Sequence, residues 1–159
     1  MFQKQFSFTP FRYGLYMLLP MIGFAIGTLI APKLKIHIKK IAAIGAGLVF
    51  IVSLILILLA GLTNVSPNVV ILLISIITIG SGLTYPALTA SMLKEFPKTV
   101  GTAASFSGAI QIAGSGLIIY VVALLNFESV IDLGFSVLAV SILMIILIFL
   151  LPKTKVQIS

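Results

Sequence analysis

The stretch Ile41–Leu62 has the sequence IAAIGAGLVFIVSLILILLAGL, and it decides the fold. It contains no ionisable side chain, and Ser53 is its main polar residue. An α-helix needs about 20 predominantly apolar residues to cross the hydrocarbon core of a bilayer. The stretch is long enough for one crossing and therefore predicts a transmembrane helix.

Four further apolar segments of similar length accompany this stretch. The polar or proline-containing breaks between segments are Lys33–Lys40, Thr63–Asn68, Lys94–Thr99 and Asn126–Ser129. Helix ends tolerate such residues, whereas a hydrocarbon interior does not. The sequence therefore predicts an all-α integral membrane protein with a single transmembrane domain over residues 1–159. Its five spans are expected near 13–32, 41–62, 69–91, 101–125 and 130–151, with neighbouring helices antiparallel because the connections are short.

The composition excludes several classes of protein. Hydrophobic residues make up 60% of the chain and charged residues 8%, whereas a soluble domain carries about 25% charged residues. The net charge of +7 does not predict nucleic-acid binding, because the basic residues lie at segment boundaries rather than on one face or in a tail. We expect no enzyme, metal or cofactor, since the sequence has no cysteine, no phosphate-binding loop and no Ser/His/Asp constellation.

The lysines predict the orientation, because basic residues in short loops are retained on the cytoplasmic side. Eight of the ten basic residues follow the first, third or fifth span, namely Lys33, Lys35, Lys39, Lys40, Lys94, Lys98, Lys153 and Lys155. The exceptions are Lys4 and Arg12, while the break near Asn126 carries Glu128 and Asp132. We therefore expect the amino terminus outside and the carboxyl terminus in the cytoplasm.

The third and fourth spans carry stripes of small and hydroxyl residues. Those of the third are Ser75, Thr78, Ser81, Gly82, Tyr85 and Thr89. Those of the fourth are Gly101, Ala104, Ser105, Gly108, Gln111 and Ser115. Such stripes either let helices approach closely or line a hydrated path. The second and fifth spans are the most uniformly apolar, and we expect them to face lipid.

Individual positions in these stripes allow both a structural and a functional interpretation. Helix packing is the expected role of the small residues Gly23, Gly27, Gly101, Ser105 and Gly108. An amide within the membrane is costly unless it is hydrogen-bonded, so Gln111 has either a structural partner or a ligand. Tyr85 is either an interfacial anchor or part of a cavity wall. Pro86 removes a backbone hydrogen bond and predicts a bend in the third span.

Several motifs resemble a known family of transporters. The run Gly80–Ala90 (GSGLTYPALTA), then Phe96-Pro97, then Gly101–Ser105 with Gly108 and Gln111, resembles the tenth and eleventh helices of the major facilitator superfamily. The pattern is most similar to the bicyclomycin-resistance (Bcr/CflA) type of drug:proton antiporter. Upstream, Tyr13–Leu15 and Gly23–Gly27 resemble the eighth helix, and Phe6–Pro10 resembles the external loop before it.

The resemblance implies a partial carboxy-terminal half of a twelve-helix fold, corresponding to helices eight to twelve. In that fold helices nine and twelve are peripheral, and helices eight, ten and eleven border the central cavity. The implied cavity-lining residues are Tyr85, Gln111, Thr78, Ser81 and Ser115. The orientation that the family would impose agrees with the one predicted from the lysines.

The implied function is multidrug efflux, and hence antibiotic resistance, by proton-coupled export of small amphipathic compounds across a bacterial-type inner membrane. The chain lacks the family's first seven helices and its acidic membrane residues, so we expect it to be inactive alone. A second chain would then supply the missing helices.

Two alternatives remain open at this level. The chain could be a small non-transporting membrane subunit that uses its small-residue stripes to pack against other helices. It could also be a fragment of a superfamily carrier for another small solute.

Overall fold

The computed structural model of the protein describes residues 9–34, 36–62, 65–124 and 129–150. Its helices are α1 (Pro10–Ile30), α2 (Ile38–Leu62), α3 (Pro67–Lys94), α4 (Val100–Leu124) and α5 (Val130–Leu150), with a 3-10 turn at Ala31–Lys33. No strand occurs among these described residues. Each of the five helices is long and apolar enough to cross a membrane. The prediction of an all-α fold with five helices able to cross a membrane is thereby confirmed for the described residues, and this is the architecture expected of a multi-pass membrane protein.

The first three helices begin a few residues before the predicted spans. Pro67 lies in the first turn of α3, where proline is tolerated because its missing N–H has no helical partner in any case. The side chain of Thr9 caps α1 by accepting a hydrogen bond of 3.3 Å from the backbone N–H of Arg12. Lys4, Lys35, Glu128, Lys153 and Lys155 lie outside the described residues, as do residues 125 and 151 of the predicted spans.

Helix α3 is the centre of the packing. Helices α1 and α2 both pack along it, and α5 packs on the far side of α2. The largest buried cluster joins α2, α3 and α5 through Val49, Val52, Leu56, Val70, Leu73, Ile77 and Val130. A second cluster joins the connection between α1 and α2 to α3 through Ala31, Ile38, Ile41, Leu83 and Ala87.

Glycines let the backbones of α1 and α2 approach α3 closely. A Cβ added at Gly27 would meet the carbonyl oxygen of Ile79 and lie 3.0 Å from the Cα of Gly82. On the other side of α3, a Cβ at Gly80 would lie 2.7 Å from the carbonyl oxygen of Gly45. Membrane helices associate through such small-residue contacts, because lipid gives them no hydrophobic drive to pack. Helix α1 runs parallel to α3, because Gly23 meets Ser75 and Gly27 meets Ile79, whereas α2 runs antiparallel to it, because Gly45 meets Thr84 and Val49 meets Gly80.

Threonine hydroxyls reinforce the same two interfaces. Each lies between a carbonyl of its own helix and a carbonyl of the neighbouring helix. Thr78 Oγ1 lies 2.8 Å from the carbonyl oxygen of Ser75 and 2.7 Å from that of Pro20. Thr84 Oγ1 lies 3.0 Å from the carbonyl oxygen of Gly80 and 3.4 Å from that of Ala42. Thr28 Oγ1 lies 3.0 Å from the carbonyl oxygen of Phe24 and 3.5 Å from that of Gly82. Since a hydroxyl has one hydrogen, each threonine shares its donation between two acceptors.

Both α1 and α3 contain an interior proline. Pro86 has no N–H to donate to the carbonyl of Gly82 four residues earlier. Thr28 of α1 lies 3.5 Å from that carbonyl oxygen and provides a donor from the neighbouring helix. Helix α3 accordingly continues through Pro86 to Lys94, and a bend at Pro86 stays a prediction.

Polar side chains form hydrogen bonds at the ends of three of the helices, α1, α3 and α5. The Tyr16 hydroxyl donates to Asn68 Oδ1 at 2.9 Å, which joins the beginnings of α1 and α3. The backbone N–H of Ser129 and its hydroxyl donate to Asp132 Oδ2 at 3.0 Å and 2.7 Å. The Asp132 N–H lies 3.2 Å from Ser129 Oγ, which completes a capping box at the start of α5.

Burial differs from the prediction made for the second span. Helix α2 is not peripheral, because it lies between α3 and α5 and contributes nine buried residues. In contrast, no described side chain of α4 is buried, although α4 carries one of the two polar stripes. Uniform apolarity does not distinguish the two environments, since lipid chains and packed helices are equally apolar.

Candidate functional site

A hydrogen bond between two polar side chains links α3 to α4. The hydroxyl of Tyr85 donates a hydrogen bond of 2.8 Å to Oε1 of Gln111. Both side chains are exposed, and Tyr85 keeps 45% of its surface accessible. A buried or lipid-facing amide is costly without a hydrogen bond, so Tyr85 is the structural partner of the Gln111 carbonyl. The structure thus unites these two predicted cavity residues.

Helix α1 contributes a third side chain to this place. The ring of Phe24 lies beside that of Tyr85, with the centroids 6.4 Å apart and the ring planes tilted by 47°. This separation is within the range of favourable aromatic pairs. Phe24 also keeps 39% of its surface accessible. We call Phe24, Tyr85 and Gln111 the aromatic–amide site. It consists of one residue from each of α1, α3 and α4.

The local sequence explains the position of Tyr85. Gly82 lies one turn before it and touches the backbone of α1, since a Cβ at Gly82 would meet the carbonyl oxygen of Phe24. Tyr85 is three residues further on and shares this face of α3. Its ring therefore lies at the edge of the close approach between α1 and α3, next to Phe24.

The other three predicted cavity residues are not part of the aromatic–amide site, and their hydroxyls donate hydrogen bonds to backbone carbonyls. Thr78 is half-buried in the interface with α1, where its hydroxyl donates to Pro20 and Ser75. Ser81 is half-buried and donates to the Ile77 carbonyl at 3.2 Å. Ser115 is exposed and donates to the Ile112 carbonyl at 2.9 Å. Of these three residues, Thr78 links two helices, because its hydrogen bond to Pro20 joins α3 to α1.

The predicted packing residues fall into two groups. Gly23 and Gly27 are buried against α3, where an added Cβ would meet backbone atoms of Ser75 and Ile79 respectively. Gly101 and Gly108 have nothing within 4 Å of an added Cβ, and Ser105 is exposed. Within the described part of the chain, these three positions of α4 have no neighbouring helix to pack against.

The chemistry available at the aromatic–amide site consists of hydrogen bonding and aromatic contact. No Lys, Arg, His, Asp or Glu occurs in residues 41–93 or 99–124 of the chain. Among the described residues, no group of three or more His, Cys, Asp or Glu could hold a metal ion. The site is therefore suited to contact an aromatic or amphipathic molecule or another helix.

No sequence pattern predicted a role for Phe24, Pro20 or Thr28. A signal for Phe24 was present, because it lies between Gly23 and Gly27 and must border any helix that packs on them. The only signal for Thr28 was Pro86. Because Pro86 has no N–H, the carbonyl of Gly82 can accept a hydrogen bond from a side chain of another helix. Which helix does so depends on the tertiary structure.

Comparisons of the chain with protein-family models, with curated proteins and with solved structures each find no match. The class of protein therefore follows from the fold itself. It is an all-helical protein with five helices able to cross a membrane, in which a polar contact joins an otherwise exposed helix to a packed group of four.

Proposed function

We propose that the chain is the carboxy-terminal portion of a proton-coupled multidrug efflux transporter of the major facilitator superfamily. The observation that carries this proposal is the aromatic–amide site. It joins α1, α3 and α4, which are the three spans that the sequence resemblance assigns to the border of a substrate cavity. Tyr85 and Gln111 belong to the motifs that carry this resemblance.

The exposed polar groups support a site that faces something other than lipid. Tyr85 satisfies the carbonyl oxygen of Gln111, but the amide nitrogen of Gln111 has no hydrogen-bond partner among the described residues. Polar groups within a membrane usually face a bundle interior or a hydrated cavity. A cavity in this position would present two aromatic rings and an amide, which suit small amphipathic compounds.

The surface of α4 supports the view that the chain is inactive alone. No described side chain of α4 is buried, and its glycines Gly101 and Gly108 meet no neighbour. In a working transporter these positions would pack against further helices, supplied by the same polypeptide or by a second chain. Those helices would also supply the acidic groups that couple export to protons.

The same surface favours one alternative function. A small non-transporting membrane subunit would use the exposed small-residue stripe of α4 to bind the helices of another protein. This subunit would need Gly101 and Gly108 but would not need the hydroxyl of Tyr85 for transport. The two functions therefore depend on different residues, transport on Tyr85 and Gln111 and subunit binding on Gly101 and Gly108.

The test is drug accumulation in cells that express the chain with and without a candidate partner supplying seven further helices. We expect lower accumulation only with both chains, and its loss when an uncoupler removes the proton gradient. Tyr85→Phe and Gln111→Ala should restore accumulation, whereas Tyr120→Phe should not, because exposed Tyr120 lies on α4 away from the site.

Two outcomes would contradict the proposal. Export by this chain alone, abolished by an uncoupler, would show that it is a complete transporter. Assembly of the two chains without any export, lost on Gly108→Leu but not on Tyr85→Phe, would instead identify a subunit.

A further inference from the structure

One end of the helical group carries six of its eight described charged side chains. At this end α1, α3 and α5 finish and α2 and α4 begin. Lys39 Nζ lies 3.4 Å from the carbonyl oxygen of Phe149, which places the beginning of α2 beside the end of α5. The cluster containing Ala31, Ile38 and Ala87 likewise joins the end of α1 to α2 and α3. We call this the basic end.

The charge at the two ends is unequal. The described charged residues of the basic end are Lys33, Lys39, Lys40, Lys94, Lys98 and Glu95. With His37 taken as neutral, five lysines and one glutamate leave a net charge of +4. At the opposite end the described charges are Arg12 and Asp132, which leave a net charge of zero. Asp132 is already used in the capping box of α5.

The lysines of the basic end are accessible. Lys33, Lys40, Lys94 and Lys98 are exposed, and none of the four forms an ion pair with a carboxylate among the described residues. Lys39 is half-buried and engaged with the end of α5. The surface therefore keeps a net positive charge, because a single described carboxylate, Glu95, accompanies the five lysines.

Helix lengths place these ammonium groups at the depth of lipid phosphates. Lys94 lies 26 residues after Asn68 on the continuous helix α3, which corresponds to about 39 Å along the axis. Asn68 is bonded to Tyr16, and tyrosines favour the membrane interface. A hydrocarbon core is about 30 Å thick and the bilayer with its headgroups about 40–45 Å. Lys94 therefore reaches the opposite headgroup layer.

The second helix leads to the same depth. Lys39 lies 23 residues before Leu62 on α2, a separation of about 35 Å along the axis. Long lysine side chains at helix ends extend towards the headgroups while their methylene groups stay in contact with apolar surface. The lysines of α2 and α3 thus meet the same layer of the membrane.

From this arrangement we propose that the basic end is a binding surface for anionic phospholipid headgroups. Phosphates of lipids such as phosphatidylglycerol complement the net positive charge and occupy the layer that the ammonium groups reach. The proposed binding is confined to this end, because the described residues of the opposite end carry no excess charge. The inference does not depend on the transport function proposed above.

The test uses the full chain purified in detergent and titrated with phosphatidylglycerol or phosphatidylcholine, with bound lipid counted by native mass spectrometry. We expect tighter binding of phosphatidylglycerol. Each exposed lysine should contribute about fivefold, so the combined variant Lys33→Gln/Lys40→Gln/Lys98→Gln should lose most of the preference. Lys39 is kept because it bonds to Phe149.

Three controls make the result specific. The corresponding triple arginine variant should retain the preference, and Arg12→Gln at the opposite end should leave it unchanged. For the unaltered protein, raising the salt from about 0.1 M to about 1 M should weaken phosphatidylglycerol binding, since the screening length falls from about 10 Å to about 3 Å. This measurement remains decisive even if the triple glutamine variant does not fold.

Three results would overturn the proposal. One is equal binding of the two lipids by the unaltered protein, and another is a preference that survives high salt or the folded triple glutamine variant. The third is competition by inorganic phosphate as effective as that by the lipid, which would identify a site for a free anion.

Discussion

Thr28 on α1 lies 3.5 Å from the carbonyl oxygen of Gly82 on α3, the carbonyl for which Pro86 provides no N–H donor. The donor missing from one helix is thus supplied by another. The same threonine also lies 3.0 Å from the Phe24 carbonyl of its own helix. The Thr28 hydroxyl is therefore shared between the Phe24 carbonyl of α1 and the Gly82 carbonyl of α3.

This relationship predicts a coupling between Thr28 and Pro86. Thr28→Val should lower the free energy of unfolding by about 1 kcal/mol, because the Gly82 carbonyl then loses the Thr28 hydroxyl as a donor. In a Pro86→Ala background the cost should be smaller, since the introduced alanine would donate its own N–H to the Gly82 carbonyl. Detergent-induced unfolding monitored by circular dichroism, arranged as a double-mutant cycle, measures the difference. Thr28→Ser is the matched control. Equal costs in both backgrounds would refute the compensation.

The glycines at the interface between α1 and α3 and those of α4 should respond differently to the same substitution. Gly27→Ala and Gly82→Ala should each destabilise the protein by about 1–3 kcal/mol, because the new methyl group meets backbone atoms that cannot move aside easily. Gly101→Ala and Gly108→Ala meet nothing within 4 Å. They should be neutral or stabilising, since alanine favours a helix by up to about 1 kcal/mol.

The unfolding free energies of these four variants would be compared in the same detergent. If Gly108→Ala were as damaging as Gly27→Ala in the isolated chain, α4 would have to be packed against another helix, contrary to its exposure here. A cost that arises only in the presence of a partner chain would locate the partner on α4.

The hydrogen bond between Tyr85 and Gln111 should hold α4 beside α3. Tyr85→Phe removes the donor and should broaden the distribution of distances between the two helices. The chain has no cysteine, so nitroxide labels on Leu72→Cys and Ile118→Cys report this distance without background. Both positions are exposed. The matched control is Tyr120→Phe. An unchanged distribution in the Tyr85 variant would show that the connection between the helices alone positions α4.

The capping box should stabilise the beginning of α5. Ser129→Ala removes the hydroxyl that donates to Asp132 Oδ2 at 2.7 Å and accepts from the Asp132 N–H at 3.2 Å. The expected cost is about 0.5–2 kcal/mol, seen as faster hydrogen exchange of the first-turn amides of α5. Ser136→Ala is the control on the same helix, because Ser136 donates only to a carbonyl of its own helix. Equal exchange in both variants would rule out a capping role.

The alternation of the helices predicts the side on which single cysteines react. In intact cells, Ser66→Cys should be labelled by a membrane-impermeant maleimide, and Lys98→Cys only after the membrane is opened. The reason is that lysine-rich connections are retained in the cytoplasm, whereas Ser66 precedes α3 at the opposite end. Labelling of both positions in intact cells would contradict the proposed orientation.

The sequence by itself determined the number of helices and the approximate positions of their ends. Long apolar runs such as Ile41–Leu62 must satisfy their backbone hydrogen bonds internally when they cross hydrocarbon. Polar residues and prolines mark the places where the helices end. These properties are local, and they can be read without knowing which helices are neighbours.

Only the tertiary structure decided how the helices are arranged. It placed the uniformly apolar α2 between α3 and α5, left α4 exposed, and separated the packed Gly27 from the unpacked Gly108. It also brought Tyr85 to Gln111 and Thr28 to Gly82. The physical reason is that lipid and a neighbouring helix are equally apolar environments. The contacts that distinguish them depend on which helices meet and in what register, and no single segment encodes that.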